Sequence, residues 1–437
     1  MKTIKYFCLS ALALTLAACS NDDNEVTQQP AEQVQGIPFT ATISVGQSGS
    51  NRALAEDGTK LVATWAVGEK VALIHNGVND EMEVASVSGG VATISGTITG
   101  SPSTGDAVTI IYPSTAANEA TGNVKASLLK QQEGTLEAVS AKYDVRKGTG
   151  TLKVDGVATL SDNVSLTNQF AIWKLNLRNT PKKSICIFAG SVPIAGATRA
   201  EASMDFYVAV PAFTDQTVSI YANNESDACY YYARENISLV AGKYYQSSFL
   251  MSPLSTSSLA NPYMITGSSS ATIPDGSTAV LSGVSISGGS ITCAGTAGII
   301  LLGSNSISAA KHNAAIRAGG PGSTLTINGT GSLSAQGGGW AAGIGSNKSG
   351  NCGNINIYGG IISVTGGLYG AAIGSGDDGE CGNITFTSGV ISVTAIKNNY
   401  LSDRCIGAGN GGSCGTVTIG GVNTGQITTS PYVYQPQ

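Results

Sequence analysis

Charge and histidine are scarce in this sequence. Charged residues make up 12% of its 437 residues, and only two histidines occur, His75 and His312. A nucleic-acid-binding protein needs clustered lysine and arginine to meet phosphates, and the sequence has no such cluster. Two histidines also leave almost no material for a histidine-rich zinc site or a serine–histidine triad. The composition therefore argues against all three classes of protein.

The few charges are also unevenly distributed. Residues 251–437 contain 38 of the 57 glycines but only ten charged residues, five of each sign. The net charge of −5 therefore belongs to residues 1–250, and the last 187 residues form a second, almost uncharged part. The sequence also has little Glu, Lys and Leu and much Gly, Thr and Ser. This composition excludes a helical protein or a coiled coil.

The N-terminus has the pattern of a secretion signal. Two lysines precede an apolar segment from Tyr6 to Ala18, which is shorter than the roughly 20 residues that span a membrane. Its ending, Leu-Ala-Ala-Cys, resembles the lipobox of bacterial lipoproteins, whose cysteine becomes the acylated N-terminus. An ordinary signal with a chance cysteine, or a membrane helix, is the alternative. We predict a lipoprotein signal peptide at 1–18, lipidation at Cys19 and a disordered tether at 19–36.

Residues 37–253 predict two β-sandwich domains, at 37–150 and 151–253. Phe39, Ala41 and Ile43 alternate with threonine, which is the period of a half-buried strand. Short apolar runs separated by Gly, Asn and Pro continue at the spacing typical of a sandwich. The predicted strands are Phe39–Val45, Val71–Ile74, Val84–Val87, Val91–Ile94, Val108–Tyr112, Ala171–Leu177, Ile185–Phe188, Phe206–Val210, Val218–Tyr221 and Tyr244–Leu250.

Several motifs in this half of the chain resemble the fimbrillin family. They are Trp65-x-x-Gly68-Glu69-x-Val71, Tyr112-Pro113, Gln169-Phe170-Ala171-x-x-Lys174-Leu175, Val208-Ala209-Val210-Pro211 and Ala241-Gly242-Lys243-Tyr244-Tyr245. The resemblance implies transthyretin-like sandwiches in a surface lipoprotein that joins other fimbrillin-type subunits by donor-strand exchange. It also implies trimming after an early arginine, for which Arg52 is the matching position. A loop arginine without a role is the alternative, and a sandwich that lacks one strand favours strand addition.

Residues 265–430, after a linker at 254–264, form a repeat. Isoleucines of A-x-I-G-type segments lie at 316, 344, 373 and 406, which gives separations of 28, 29 and 33 residues. A fixed period with three short strands per repeat predicts a right-handed parallel β-helix, with rungs about 4.8 Å apart. The segments that carry the repeat, Ala341–Gly345 and Cys352–Ile355, resemble the repeat-containing carbohydrate-binding domain of polysaccharide-binding β-helix proteins. The predicted fold class is therefore all-β throughout.

The repeat offers three candidate sites. His312, Trp340, Tyr369 and Ser402 each lie four positions before an aligned isoleucine, so three rings are expected to stack in a carbohydrate-binding column. An aromatic ladder that merely packs the repeat is the alternative. Asp377, Asp378 and Glu380 are a weak Ca²⁺ candidate, because the adjacent repeats supply no further acids, and a solvated turn is the preferred explanation of these residues. Cys352, Cys381 and Cys414 are expected to form a buried column of free thiols.

These features predict a fimbrial or fimbria-related adhesin of the tip or accessory type, anchored at the cell outer membrane and recognising glycans. The alternative is a non-polymerising, polysaccharide-binding outer-membrane lipoprotein. An enzyme is not predicted, although polysaccharide lyases and hydrolases share the β-helix, because the basic residues fall on different repeat positions and the acids concentrate in one loop. No catalytic residue, no cofactor and no nucleic-acid partner is expected.

Overall fold

The computed structural model describes residues 36–45, 55–57, 60–62, 65–118, 122–125, 127–387, 390, 392–397 and 404–436. The described helical turns are short: α1 (Leu136–Ala138), two 3₁₀ turns (Ser114–Ala116 and Leu128–Lys130) and a π-helical turn (Val139–Tyr143). None of the helices within these ranges is long and apolar enough to cross a membrane. The other elements are strands, so the all-β prediction is confirmed.

The first sheet closes on itself around strand β1. The strands of this part are β1 (Ile37–Val45), β2 (Ala55–Asp57), β3 (Lys60–Val62), β4 (Lys70–His75), β5 (Val78–Ser88), β6 (Val91–Ile98), β7 (Ala107–Tyr112), β8 (Ala117–Asn118), β9 (Asn123–Val124), β10 (Arg146–Asp155), β11 (Val157–Leu160) and β12 (Val164–Asn168). Eight of them pair in the order β11-β1-β12-β10-β7-β4-β5-β6, and β1 also pairs with β6. Phe39, Leu73 and Ile110 are buried inside. The sheet continues to Asn168, past the boundary at residue 150 that the sequence predicted.

The second part is a sandwich of two sheets. Its strands are β13 (Ala171–Arg178), β14 (Lys182–Ala189), β15 (Val192–Ser203), β16 (Asp205–Val210), β17 (Phe213–Asn223), β18 (Cys229–Leu239), β19 (Tyr244–Leu250) and β20 (Ser252–Pro253). A three-stranded sheet in the order β16-β13-β19 packs on a five-stranded sheet in the order β15-β14-β17-β18-β20. Trp173 and Phe206 from the first sheet and Ile187 from the second share one buried core.

The repeat region (residues 265–430) consists of parallel strands stacked in register. The strands from Tyr263 onward are β21 (Tyr263–Ile265), β22 (Ala271–Ile273), β23 (Ser277–Leu281), β24 (Ser285–Ser287), β25 (Ile291–Cys293), β26 (Ala297–Leu301), β27 (Ser304–Ser308), β28 (Ile316–Arg317), β29 (Thr324–Gly329), β30 (Ser332–Gln336), β31 (Ile344–Gly345), β32 (Asn351–Cys352), β33 (Asn354–Ile357), β34 (Ile361–Thr365), β35 (Ile373–Gly374), β36 (Glu380–Cys381), β37 (Ile384–Phe386), β38 (Ser392–Ile396), β39 (Ile406–Gly407), β40 (Ser413–Cys414), β41 (Val417–Ile419), β42 (Val422–Asn423) and β43 (Tyr432–Tyr434). Each strand from β21 to β37 pairs in parallel with its counterpart one repeat later, whereas β38 pairs antiparallel with β43 and β41 pairs antiparallel with β42. The four aligned isoleucines are direct partners, which confirms the predicted register.

The second sandwich and the repeat region share a buried contact, which we call the seam. Cys186, Phe188 and Tyr221 of the sandwich pack against outward-facing apolar side chains of the repeat strands. Those side chains are Val280, Ile300 and Leu302. Leu254 and Met264, which the sequence assigned to a linker, also pack against this cluster. The repeat region is therefore docked along the sandwich, where the sequence had placed a linker.

Candidate functional site

The structure brings His312, Trp340 and Tyr369 together in one aromatic column. The ring centroids of His312 and Trp340 are 5.5 Å apart at 77°, and those of Trp340 and Tyr369 are 5.0 Å apart at 47°. All three side chains are half-buried. Ser402, the fourth predicted member, lies outside the described residues. The predicted ring stack therefore exists as a geometric feature, and its three side chains are partly open to solvent.

Glycines at the neighbouring corner allow this close stacking. A Cβ added to Gly338 would lie 1.9 Å from the carbonyl oxygen of Ala310, and one added to Gly367 would lie 2.1 Å from that of Gly338. No side chain fits at either distance. The backbone of consecutive repeats therefore comes close enough at this corner to hold the rings in contact.

A polar column runs beside the rings. Lys348, Asp377 and Asn410 each lie four residues after an aligned isoleucine, and each donates its backbone N–H to the carbonyl of one ring residue. The bonds are Lys348 N to His312 O at 3.2 Å, Asp377 N to Trp340 O at 2.9 Å and Asn410 N to Tyr369 O at 2.8 Å. Sequence reasoning missed this pairing, although the shared spacing of four residues after the isoleucine was a usable signal.

The charges of the polar column are largely satisfied within it. The ammonium nitrogen of Lys348 lies 3.5 Å from the centroid of the Trp340 ring and 3.9 Å from Oδ2 of Asp377. Asn410 donates its amide to Oδ1 of Asp377 at 3.0 Å. Asp377 itself is only 4% exposed. One face of Trp340 is therefore covered by a cation, which leaves its edge and the rings of His312 and Tyr369 for any external contact.

The structure does not assemble the proposed Ca²⁺ ligands into a site. Asp377 is buried against Lys348 and Asn410, whereas Asp378 is exposed. Glu380 accepts a hydrogen bond from the amide of Asn351 at 3.0 Å, which explains it as a stacked surface pair. Among the described residues, no three His, Cys, Asp or Glu side chains are placed to hold a metal ion. Ca²⁺ would need 6–8 oxygen ligands.

The cysteines of the repeat form the predicted column. Cys352 pairs with Cys381, and Cys381 with Cys414, on adjacent parallel strands. All seven cysteines within the described ranges are free thiols. Hydrogen bonds to Cys352 and Cys414, together with burial, raise the pKa of the Cys381 thiol, whereas the hydrogen bond from Cys381 and the charge of Arg404 lower the pKa of Cys414. The three cysteines therefore pack in the interior of the repeat as small, mostly buried side chains.

The predicted lipidation and processing sites lie outside the described residues. Cys19 and Arg52 therefore have no structural account. Strand β1, which precedes Arg52 in the chain, is described: its Phe39 and Ile43 are buried, and it pairs antiparallel with β6 and parallel with β11 and β12. Residues 37–45, which lie upstream of Arg52, are therefore an integral strand of the first sheet.

Comparison with known proteins shows only partial similarity. No protein-family model matches the chain, and no curated protein matches it significantly. Structural similarity extends to a fimbrial protein from Bacteroides ovatus, with 12% identity over 49% of this chain and 50% of that one, at a TM-score of 0.24. The tip fimbrial protein Mfa3 of Porphyromonas gingivalis, with a C-terminal truncation, has 11% identity over 48% and 94%, at 0.24. A fimbrilin of the same organism has 14% identity over 50% and 92%, also at 0.24. TM-scores this low carry no inference about function.

Proposed function

We propose that the protein is a surface-anchored, fimbria-related adhesin of the tip or accessory type. In this proposal the two N-terminal parts are fimbrillin-like sandwiches, and the repeat region is a right-handed parallel β-helix that presents a recognition surface for glycans. The observation that carries it is the placement of β1, which completes the first sheet and yet precedes the candidate trimming site Arg52. Loss of β1 would leave an open groove between β6 and β11–β12, and such a groove favours addition of a partner's strand.

Anchoring at the outer membrane rests on Cys19. Acyl chains on this cysteine would hold the protein on the cell surface through the tether at 19–36. In cells, Cys19→Ala should shift the protein from the membrane fraction to the soluble fraction, or leave the precursor unprocessed. An unchanged membrane fraction and a normal mature size would contradict a lipid anchor.

Assembly rests on trimming after Arg52. Surface protein should then begin at Ala53, and the trimmed protein should accept a strand from a fimbrillin-type subunit. Arg52→Ala should keep β1 in the sheet and abolish binding of the partner's strand. Arg52→Lys is the control, because it keeps the positive charge but removes the arginine of the cleavage site. Intact-mass measurement of surface protein decides the matter. A Cys19-acylated N-terminus alone would favour the non-polymerising alternative.

That alternative, a glycan-capture lipoprotein, is supported by the seam. Strand β19 leads through β20 directly into the repeat region, and Leu254 and Met264 are packed there. The end of the second sandwich is therefore committed to an intramolecular contact and is not a free strand for a neighbouring subunit. A tip or accessory subunit, which only receives a strand, is compatible with the same packing.

Glycan recognition is assigned to the aromatic column. Rings with polar edges suit the C–H faces of sugars, and the adjacent amide of Asn410 can bond hydroxyls. In the mature full chain, Trp340→Ala and Tyr369→Ala should each abolish binding of at least one glycan on an array, with an unchanged melting temperature. Leu368→Ala, which removes an exposed apolar neighbour, is the matched control. A lowered melting temperature with intact binding, or a wild type that binds no glycan, would make the column purely structural.

A binding role is preferred to catalysis. Glycoside hydrolysis needs two facing carboxyl groups about 5–9.5 Å apart. Asp377 is engaged with Lys348 and Asn410, and Glu380 accepts a hydrogen bond from Asn351. The proposal therefore assigns no catalytic residue to the repeat region.

A further inference from the structure

A cavity of about 440 Å³ lies where the second sandwich meets the outer face of the repeat sheet, beside the seam. It is within the range of small-molecule sites, roughly 300–1,000 Å³. The sandwich contributes Phe188, Ser219 and Tyr221 to its wall. The repeat strands contribute Thr326, Asn328 and Tyr358. Its two walls therefore come from parts of the chain far apart in sequence.

The lining combines aromatic surface with neutral polar groups. Phe188 and Tyr221 meet edge to face, with ring centroids 5.4 Å apart at 76°. Among the described residues that line the cavity, none carries a charged side chain; the polar ones offer hydroxyl or amide groups. Aromatic rings bind the C–H faces of a sugar, and hydroxyls and amides bond its hydroxyl groups. An anionic ligand would find no counter-charge on these walls.

Asn328 has an acceptor that the protein leaves unused. Its side chain is 7% exposed, and its Oδ1 has no hydrogen-bond partner. Asn328 is the register partner of Ile300, which in turn pairs with Val280, and both of those apolar side chains are buried in the seam. Buried polar atoms are nearly always paired, so an amide oxygen beside this cavity is suited to a donor from a ligand. A sugar hydroxyl supplies such a donor.

The cavity continues into a row of neutral polar side chains along the repeat. Thr326 is the register partner of Asn356, Asn356 of Thr385, and Thr385 of Thr418. All four are half-exposed on the outer face of the sheet. They repeat at about 4.8 Å, the spacing between strands. A linear chain of sugars leaving the cavity would meet a hydroxyl or an amide at each rung.

We propose that this cavity binds an uncharged oligosaccharide, held by Phe188, Tyr221 and Tyr358 and by the amide of Asn328, with its chain running along the threonine–asparagine row. The site is separate from the aromatic column and does not depend on fimbrial assembly. Its failure would leave the adhesin proposal standing, since that proposal is tested at Arg52 and Trp340.

Titration calorimetry of the mature full chain tests the site. The probes are mannotetraose, laminaritetraose and N-acetylchitotetraose, with tetragalacturonate as an acidic counterpart. At least one neutral probe should bind, and tetragalacturonate should bind about tenfold or more weakly than that probe, since the cavity offers no partner for its carboxylates. A wild type that binds none of the neutral probes, or that binds tetragalacturonate equally well, would overturn the proposal.

Two variants locate the binding. Gly298→Phe fills the cavity from strand β26, where the atoms nearest to an added Cβ belong to the side chain of Thr278, the closest at 2.8 Å. Asn328→Ala removes the unused acceptor. Each variant should weaken binding of the neutral probe by about tenfold or more, whereas Trp340→Ala should leave the affinity for that probe unchanged. Unaltered affinity in a folded Gly298→Phe would overturn the assignment. If that variant does not fold, Tyr358→Ala, at a half-exposed position, gives the same decision.

Discussion

Replacing Gly374 with alanine is expected to disrupt the stacking of the repeat region. Gly374 is buried in β35 and pairs with Gly407 of the next repeat. Its φ is +136°, and an added Cβ would lie 1.8 Å from the carbonyl oxygen of Gly407. That oxygen belongs to the backbone of the adjacent strand, so it cannot rotate away as a flexible side chain would. Gly345 meets Gly374 in the same way, so the contact is a property of the stack.

The magnitude follows from two costs. A residue other than glycine in this region of φ costs about 1–3 kcal/mol. Forcing an extra carbon into a packed interior costs about 1–3 kcal/mol more. Gly374→Ala should therefore lower the free energy of unfolding of the repeat region by about 2–6 kcal/mol. Gly320→Ala is the matched control, because Gly320 is exposed and its added Cβ meets no atom within 4 Å.

Hydrogen–deuterium exchange, read by peptide mass along a urea series, measures the effect region by region. Peptides spanning 371–375 and 404–407 should lose protection in Gly374→Ala, whereas those of the second sandwich core should change less. Gly320→Ala should stay within about 1 kcal/mol of the wild type. If these peptides of Gly374→Ala were as protected from exchange as those of the wild type, the close approach of the strands would be refuted, and with it the in-register stack.

Three further predictions concern other regions. Asp144→Ala leaves the buried guanidinium of Arg146, which lies 3.1 Å from the Asp144 carboxylate, without its counter-charge, and should lower the free energy of urea unfolding by about 3–5 kcal/mol. Adding Arg146→Met should recover part of that loss, and no recovery would contradict a stabilising ion pair. Burial raises the pKa of the Cys186 and Cys229 thiols from 9.0 to about 12, so their contribution to stability is complete below about pH 9 and is lost as the pH rises towards 12. Cys186→Ala should therefore flatten the fall of the urea midpoint above pH 9, and an unchanged slope would show that thiol ionisation does not cause that fall. Phe386→Ala empties a fully buried position that also contacts the Tyr434 ring, and should cost about 3–5 kcal/mol, against less for Phe386→Leu; equal losses would exclude a cavity effect.

Local pattern was sufficient for much of the fold. The alternation of Phe39, Ala41 and Ile43 with threonine predicted β1, since successive side chains of a strand point to opposite faces. The repeat period predicted that Ile344 and Ile373 would be partners, because stacked repeats place equivalent residues in direct register. The same register placed Trp340 and Tyr369 in contact. These features depend only on the residues of one strand or on one repeat period, so the sequence alone determined them.

Contacts between distant segments were decided only in the tertiary structure. Strand β10 begins with polar residues such as Arg146 and Lys147, and it is a strand because β7 pairs with it, so its membership of the first sheet had no local signal. The seam depends on Val280 and Ile300 facing outward, which is informative only once the sandwich surface opposite them is known. The pairing of Lys348 with Asp377 and the Trp340 ring likewise arises from side chains that converge across repeats. Periodicity fixes which face a residue occupies, whereas the partner on that face is chosen by packing over the whole chain.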